Sequence, residues 1–245
     1  MQKNETNYLV FDIGNSKIKF HYISNTNETL FSLNWLCTSD ESIEVENILA
    51  LCMPSYSDQV IIASTNENKA YQDKLQANLK AIGFSKITIL DNSYGTNLAI
   101  DKNIDRTQLG IDILACVQYC ASNQISNAYV FMFGSALVGL KITQGMLQGA
   151  SIAPGAYISY LHLQEKITQL SMPYTSETKL GQNTIQALNS GLYNLLNGFI
   201  LSHCQDQNGY EILLTGGDGI YLKDHYSYNP NLIAQGYVYL FLEAK

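Results

Sequence analysis

Charge is scarce in this 245-residue chain. Only 14% of its residues are Asp, Glu, Lys or Arg, and the basic ones are outnumbered 14 to 21, for a formal net charge of −7. No cluster of Lys and Arg stands out, which excludes the electrostatic footprint of a nucleic-acid-binding surface. An anionic ligand would depend on backbone amides, helix N-termini and a metal ion. Long apolar runs are also missing: no segment spans a bilayer, and the polar stretch Met1 to Asn7 has no apolar signal region. No membrane partner is expected, and a cytoplasmic location is the default. The five cysteines, Cys37, Cys52, Cys116, Cys120 and Cys204, are odd in number and fit no zinc spacing. Cys116 and Cys120 lie one helical turn apart in an apolar stretch and read as reduced core residues. His21, His162, His203 and His225 are scattered without ligand spacing. What the chain does have is apolar content, 46%, enough at this length for one or two folded domains.

Two apolar runs frame the stretch Asp12-Ile13-Gly14-Asn15-Ser16. Tyr8 to Phe11 reads as a buried strand. Lys17 to Tyr22 alternates, with Ile18, Phe20 and Tyr22 on one face and Lys17, Lys19 and His21 on the other, which predicts a second strand. A short turn containing Gly and Asn makes the pair a β-hairpin. Gly14 permits positive φ and close approach of a ligand to the backbone. Asp12 closes a buried strand, where a carboxylate is costly unless it is paired or holds a metal. Seen alone, the stretch also reads as a plain hairpin turn with an Asx cap.

Further along, Thr29 to Leu36 predicts a strand, Ser42 to Cys52 a helix, Gln59 to Ser64 a strand, Tyr71 to Ile82 a helix stopped at Gly83, and Lys86 to Leu90 a strand. That order favours a layered α/β domain. After the irregular segment Ser93 to Arg106, a helix is expected from Thr107 to about Ala121, burying Leu109, Ile113, Leu114, Val117 and Cys120. Asp112 lies in its N-terminal turn, where the helix dipole favours a carboxylate, and by itself is an ordinary surface charge. The pattern then restarts with a strand at Asn127 to Phe133, the small-residue turn Gly134-Ser135-Ala136 and a strand at Leu137 to Ile142, which suggests an internal duplication. Gly134 and Gly139 come near a Walker A spacing, but Leu140 precedes Lys141 and no Ser or Thr follows, so a P-loop is rejected. Gly149 to Gly155 reads as a turn opening a helix from Ala156 to Leu170. A long helix interrupted at Gly191 and Gly198 is expected over Thr184 to Cys204, and a strand at Tyr210 to Leu214 runs into Thr215-Gly216-Gly217-Asp218. Such a turn lets a planar or phosphorylated ligand reach the backbone, and equally reads as an ordinary βα turn. Asn231 to Gly236 reads as a terminal strand or turn before a final helix.

Taken in order, these pieces resemble type III pantothenate kinases, members of the actin/hexokinase/Hsp70-like ATPase superfamily. Asp12 to Ser16 is similar to the family's opening D-x-G-N-[ST]; Lys19 to a lysine common in proteobacterial members; Leu109-Gly110-Ile111-Asp112 to L-G-x-D; and Gly134-Ser135-Ala136 to G-T-A. Gly149 through Pro154-Gly155 is similar to G-G-x-I-x-P-G, Asn183-Thr184 with Gly191 to n-T…s-G, and Thr215 to Asp218 to t-G-G-d. The resemblance implies an α/β fold of two duplicated RNase H-like domains, 1–108 and 109–245, with a nucleotide cleft between them. It also implies a homodimer and transfer of the ATP γ-phosphoryl group to the terminal hydroxyl of pantothenate, the first step of coenzyme A synthesis. Mg²⁺ and a monovalent cation, K⁺ or NH₄⁺, are implied as well.

By the same resemblance, Asp112 is the catalytic base and Asp12 holds Mg²⁺ or its waters. Gly14, Asn15, Ser16, Lys19, Gly134 and Ser135 face the phosphates, Gly216 and Gly217 flank the adenine, and Gly110, Asp112 and Thr184 meet pantothenate. Two positions depart from the pattern. Ile113 stands where the family has an Arg that helps bind pantothenate, and Met132 stands where it has an Asp associated with the cation and phosphates. These departures leave room for a second expectation: a catalytically degenerate paralogue that binds nucleotide or acts as a regulator, like Bvg accessory factor proteins. Arg106, upstream of the motif, is a further candidate for the missing cation.

Overall fold

The computed structural model describes residues 6–36, 45–65, 69–173, 175–204 and 208–244. Cys37 and the first residues of the helix expected from Ser42 lie outside them. The chain divides into two compact units, and each carries a five-stranded mixed sheet. The first is Met1–Leu98, Asp105–Ser122 and Asn231–Lys245, and the second is Ala99–Ile104 and Asn123–Pro230. The expected division at residues 108/109 is continuous in sequence, whereas the first unit is assembled from separate segments.

The first unit runs β1 (Tyr8–Ile13), β2 (Lys17–Ile23), β3 (Thr29–Leu36), α1 (Val45–Cys52), β4 (Gln59–Ser64), α2 (Lys69–Ile82), β5 (Ile87–Leu90) and α3 (Ile111–Ser122), and is completed by α6 (Leu232–Glu243) from the end of the chain. The second runs β6 (Ala128–Phe133), β7 (Ala136–Thr143), β8 (Met146–Pro154), α4 (Ala156–Lys166), α5 (Thr184–His203), β9 (Glu211–Thr215) and β10 (Ser227–Tyr228). The sheet orders are β3-β2-β1-β4-β5 and β8-β7-β6-β9-β10. In both, the first three strands pair antiparallel and the remaining two add in parallel. The two halves therefore share one topology, and the duplication suggested by the repeated strand–Gly turn–strand pattern is a property of the fold.

Every residue of β1 is buried, because the first sheet is covered on both faces. Leu9, Phe11 and Ile13 pack with Ile18, Phe20, Val60 and Ile62 against Ile48 and Leu49 of α1 and Leu75 and Leu79 of α2. On the opposite face Tyr8 meets Phe241 of α6 edge-on, with ring centroids 6.2 Å apart. Side chains of this size each stabilise by roughly 1.5–3 kcal/mol when fully buried. The face that carries Lys19 and His21 is thus not a solvent face, and His21 is buried. Helices α3 and α6 approach so closely that a Cβ on Gly236 would strike the carbonyl of Ala115.

Five expectations change. Gly149 to Gly155 is not a turn: all but Gly155 belong to the edge strand β8, whose small residues mask the strand signal. Only Asn231 is a turn residue; Leu232 to Gly236 is already the start of α6, where Gly236 serves helix contact rather than a bend. The helix expected from Thr107 is a 3₁₀ turn at Arg106–Gln108, then a break, then α3 from Ile111. Helix α5 passes through Gly191 and Gly198 without interruption, and α4 stops at Lys166.

Candidate functional site

The first unit gathers its candidates at the carboxyl end of β1. The Gly14 amide donates to the Lys17 carbonyl at 3.0 Å, which closes the hairpin turn and leaves Asn15 and Ser16 exposed. Asp12 sits directly across the ladder from Lys19. Its carboxylate is buried, and both oxygens are engaged: Lys19 Nζ lies 3.4 Å from Oδ2, and the Tyr237 hydroxyl donates to Oδ1 at 3.2 Å. This is the pairing that a carboxylate at the end of a buried strand requires.

Asp112 occupies the first turn of α3, and its Oδ1 accepts the Ile113 amide at 2.9 Å. A Cβ on Gly110 would collide with that oxygen, so only glycine there lets the carboxylate curl back over the helix start. Burial, and then the charge of Asp12, push the Asp112 pKa up to about 6, against the opposing pull of backbone amides and Lys19. The residue as a whole is half-buried. A carboxylate at a helix start whose pKa is raised to about 6 is suited to accepting a proton. Around it, burial pushes the Cys116 thiol and the Tyr237 phenol well up, so both remain protonated. Burial also pulls His21 down to about 4, leaving it neutral beside Asn231 and Ser32.

The second unit gathers its glycines at the corresponding end of its own sheet. The Gly134 amide donates to Ala136 O and the Gly155 amide to Ser135 O, both at 3.0 Å. A Cβ on Gly155 would strike the Gly134 carbonyl. Gly216 has φ +87°, and a Cβ there would strike the Phe133 carbonyl. The β6–β7 turn and the β9 turn are therefore in backbone contact, and Gly134 and Gly217 have open space where a Cβ would lie. Thr184 stands apart, exposed in the first turn of α5, where Asn183 caps the helix by accepting the Gln186 amide.

The departures from the family pattern have definite places. Ile113 is buried in α3. Met132 is buried in β6, opposite Thr215, whose hydroxyl is buried without a hydrogen-bond partner among the described residues. Arg106, the chain's only arginine, donates to the carbonyls of Tyr94 and Gly95 at 2.9 and 2.6 Å and so clamps its own loop. Among the described residues no group of three or more His, Cys, Asp or Glu is placed to hold a metal. A Mg²⁺ carried by nucleotide phosphates needs no such cage: one or two carboxylates and retained waters suffice, and Asp12 is a hard oxygen donor of that kind. Sequence reasoning missed Tyr237, which lies 225 residues from Asp12; an apolar helical stretch carries no local signal of such a partner.

Comparison with solved structures defines the class. The chain shares the actin/hexokinase-like ATPase fold with the activator of 2-hydroxyisocaproyl-CoA dehydratase from Clostridium difficile, solved with bound ADPNP (TM-score 0.54, 12% identity, 98% of this chain and 96% of that one). A Baf-family protein from Campylobacter jejuni has the same fold (TM-score 0.59, 24% identity, 96% and 98%). The chain belongs to the type III pantothenate kinase family, whose family model matches residues 8–206. Among curated relatives, the type III pantothenate kinase of Mycoplasmopsis synoviae is 28% identical over 256 residues, covering 99% of each chain. That of Mycoplasma mobile is 28% identical over 239 residues, covering 93% of this chain and 96% of its own.

Proposed function

We propose that this chain transfers the γ-phosphoryl group of ATP to the terminal hydroxyl of pantothenate, giving 4′-phosphopantothenate and ADP. The observation that carries the reading is the presence of two interacting carboxylates in the first unit: Asp112, raised to about 6 by burial and by the charge of Asp12, and Asp12, buried and held by two donors. The kinase name is carried by relatives aligned over nearly their whole length, while the likeness to the Baf-family structure shows the fold alone.

In this reaction the pantothenate oxygen forms a bond to the γ-phosphorus as the bridging bond to the β-phosphate breaks. Asp112 accepts the hydroxyl proton, and the Gly110 backbone stands beside it at the pantothenate end. Such a base supplies part of the acceleration, since phosphoryl transfer rests mainly on positioning and charge neutralisation. Mg²⁺ would neutralise phosphate charge, with Asp12 as its protein ligand, directly or through water. The turn amides of Gly14 and Asn15, the Ser16 hydroxyl and Lys19 take phosphate oxygens in the first unit. In the second, Gly134 and Ser135 do likewise, and the backbone of Gly216 and Gly217, with open space at Gly217, takes the adenine. Thr184 is assigned a contact to pantothenate. Met132 offers a thioether where the family pattern has a carboxylate, which does not fit K⁺ or NH₄⁺.

A homodimer is part of the reading. It is supported by the apolar side chains exposed on and near α4 and α5: Tyr157, Leu161, Ile167, Leu180 and Ile185. No helix among the described residues is long and apolar enough to cross a membrane; a cytoplasmic site of action is proposed with the activity. The test is ADP release by the purified protein with MgATP, with and without pantothenate. Pantothenate-dependent release is expected, and release indifferent to pantothenate would refute the acceptor assignment.

A further inference from the structure

Tyr237 is the largest fully buried side chain of the described residues, and its hydroxyl ends on the Asp12 carboxylate. A phenylalanine would fill the same core volume without a polar atom to satisfy. A buried phenol needs a partner, and here the partner is the one acidic side chain at the end of β1. The two donors to Asp12 differ in rigidity. Lys19 approaches on a flexible stem, at 3.4 Å, with its side chain 31% exposed. Tyr237 comes from a helix seated at several points. Gly236 lies against the Ala115 backbone, Phe241 against Tyr8, and Gln235 Nε2 donates to the Asn27 carbonyl at 2.9 Å while Asn27 Nδ2 donates back to the Gln235 carbonyl at 3.4 Å. The seat of α6 thus fixes where the hydroxyl lies.

We propose that Tyr237 is a positioning residue, whose hydroxyl holds the Asp12 carboxylate in the one orientation that serves a magnesium–nucleotide complex. It touches neither nucleotide nor acceptor and acts through Asp12. The inference rests on the role proposed above for Asp12. Outer-shell donors of this kind typically change metal affinity or activity by 10–100-fold when removed.

The test is the ratio of nucleotide affinities with and without Mg²⁺, measured by calorimetry with ATP in Mg²⁺ buffer and in EDTA, for the wild type, Tyr237→Phe and Gln235→Ala. Tyr237→Phe keeps the ring and removes one oxygen. Its Mg²⁺ advantage should fall about tenfold, with affinity in EDTA unchanged and, in turnover, the KM for pantothenate unchanged. Gln235→Ala removes one of the seats of α6 but keeps the phenol and the Gly236 and Phe241 contacts that hold it in place. It should lower the unfolding temperature and leave the ratio alone, which separates positioning from mere support of the fold. Equal ratios in the wild type and Tyr237→Phe overturn the proposal, as does a wild type whose nucleotide affinity ignores Mg²⁺. Failure of the kinase reading looks different: the ratio shifts as described while pantothenate elicits no turnover in any of the three proteins.

Discussion

Asp12 and Asp112 repel each other within one small region of the first unit, and Lys19 offsets the repulsion only in part. Replacing Asp112 by Asn removes that repulsion at nearly constant volume. Turnover should fall by at least about a hundredfold, since a positioned general base is worth roughly 10²–10⁴. Stability should move the other way. The folded-state pKa of about 6 lies above the usual carboxyl value of 3.8, so protonated Asp112 favours the fold below pH 4, and this contribution is lost as pH rises through 6. Asp112→Asn should therefore be more stable than the wild type by ~1–3 kcal/mol above pH 7, and the difference should vanish near pH 4. His21 has the opposite sign. Its pKa is lowered from 6.5 to about 4, so its contribution is present above pH 6.5 and lost as pH falls through 4. Denaturant titrations at pH 4, 6 and 8 check both slopes, and a variant no more stable than the wild type at pH 8 contradicts the burial and charge assigned to Asp112. At this scale, the places of Asp12 at a strand end, Lys19 on the ladder and Asp112 at a helix start are legible in the sequence, while the roles assigned to them come from the family resemblance. Tyr237 and His21 are not, because their roles come from α6 covering a face that strand alternation cannot tell from a solvent face.

Helix α6 completes the first unit, although it is the last helix in chain order. Its seat against α3 admits no side chain at position 236. Gly236→Ala would raise helix propensity in isolation by about 0.5–1 kcal/mol. In place, its methyl group meets the Ala115 backbone, which cannot yield as a flexible side chain can. The clash dominates, with an expected net loss of roughly 1–3 kcal/mol, read as a lower denaturation midpoint at unchanged m-value. A variant as stable as the wild type would contradict the close α3–α6 contact. Strands β1, β2, β4 and β6 and helices α2 and α5 are legible because their apolar spacing is long and regular. Strand β8 is not, because an edge strand of Gly, Ala and Ser shows little alternation in hydropathy and its Pro154-Gly155 ending resembles a helix entry. The reading of residues 231–236 fails on a glycine that serves helix packing, not chain reversal.

The whole molecule is one topology used twice, with the last helix of the second half lent to the first unit. Both halves place their glycine turns where a central strand ends beside a parallel neighbour, the end of an α/β sheet that takes ligands. Exposed apolar side chains around α4 support association into a dimer. Sedimentation equilibrium should give about twice the 27.3 kDa of one chain, and a monomer at micromolar concentration would remove that part of the reading. The central claim is the reaction itself. The most direct measurement is ³¹P NMR of the purified protein incubated with MgATP and pantothenate, with the product identified by mass. The account predicts loss of the γ-phosphate signal and growth of a phosphomonoester signal from 4′-phosphopantothenate, in equal amount to the ADP formed and absent from Asp112→Asn. Release of inorganic phosphate alone, or an unchanged spectrum while ATP binds, would contradict it.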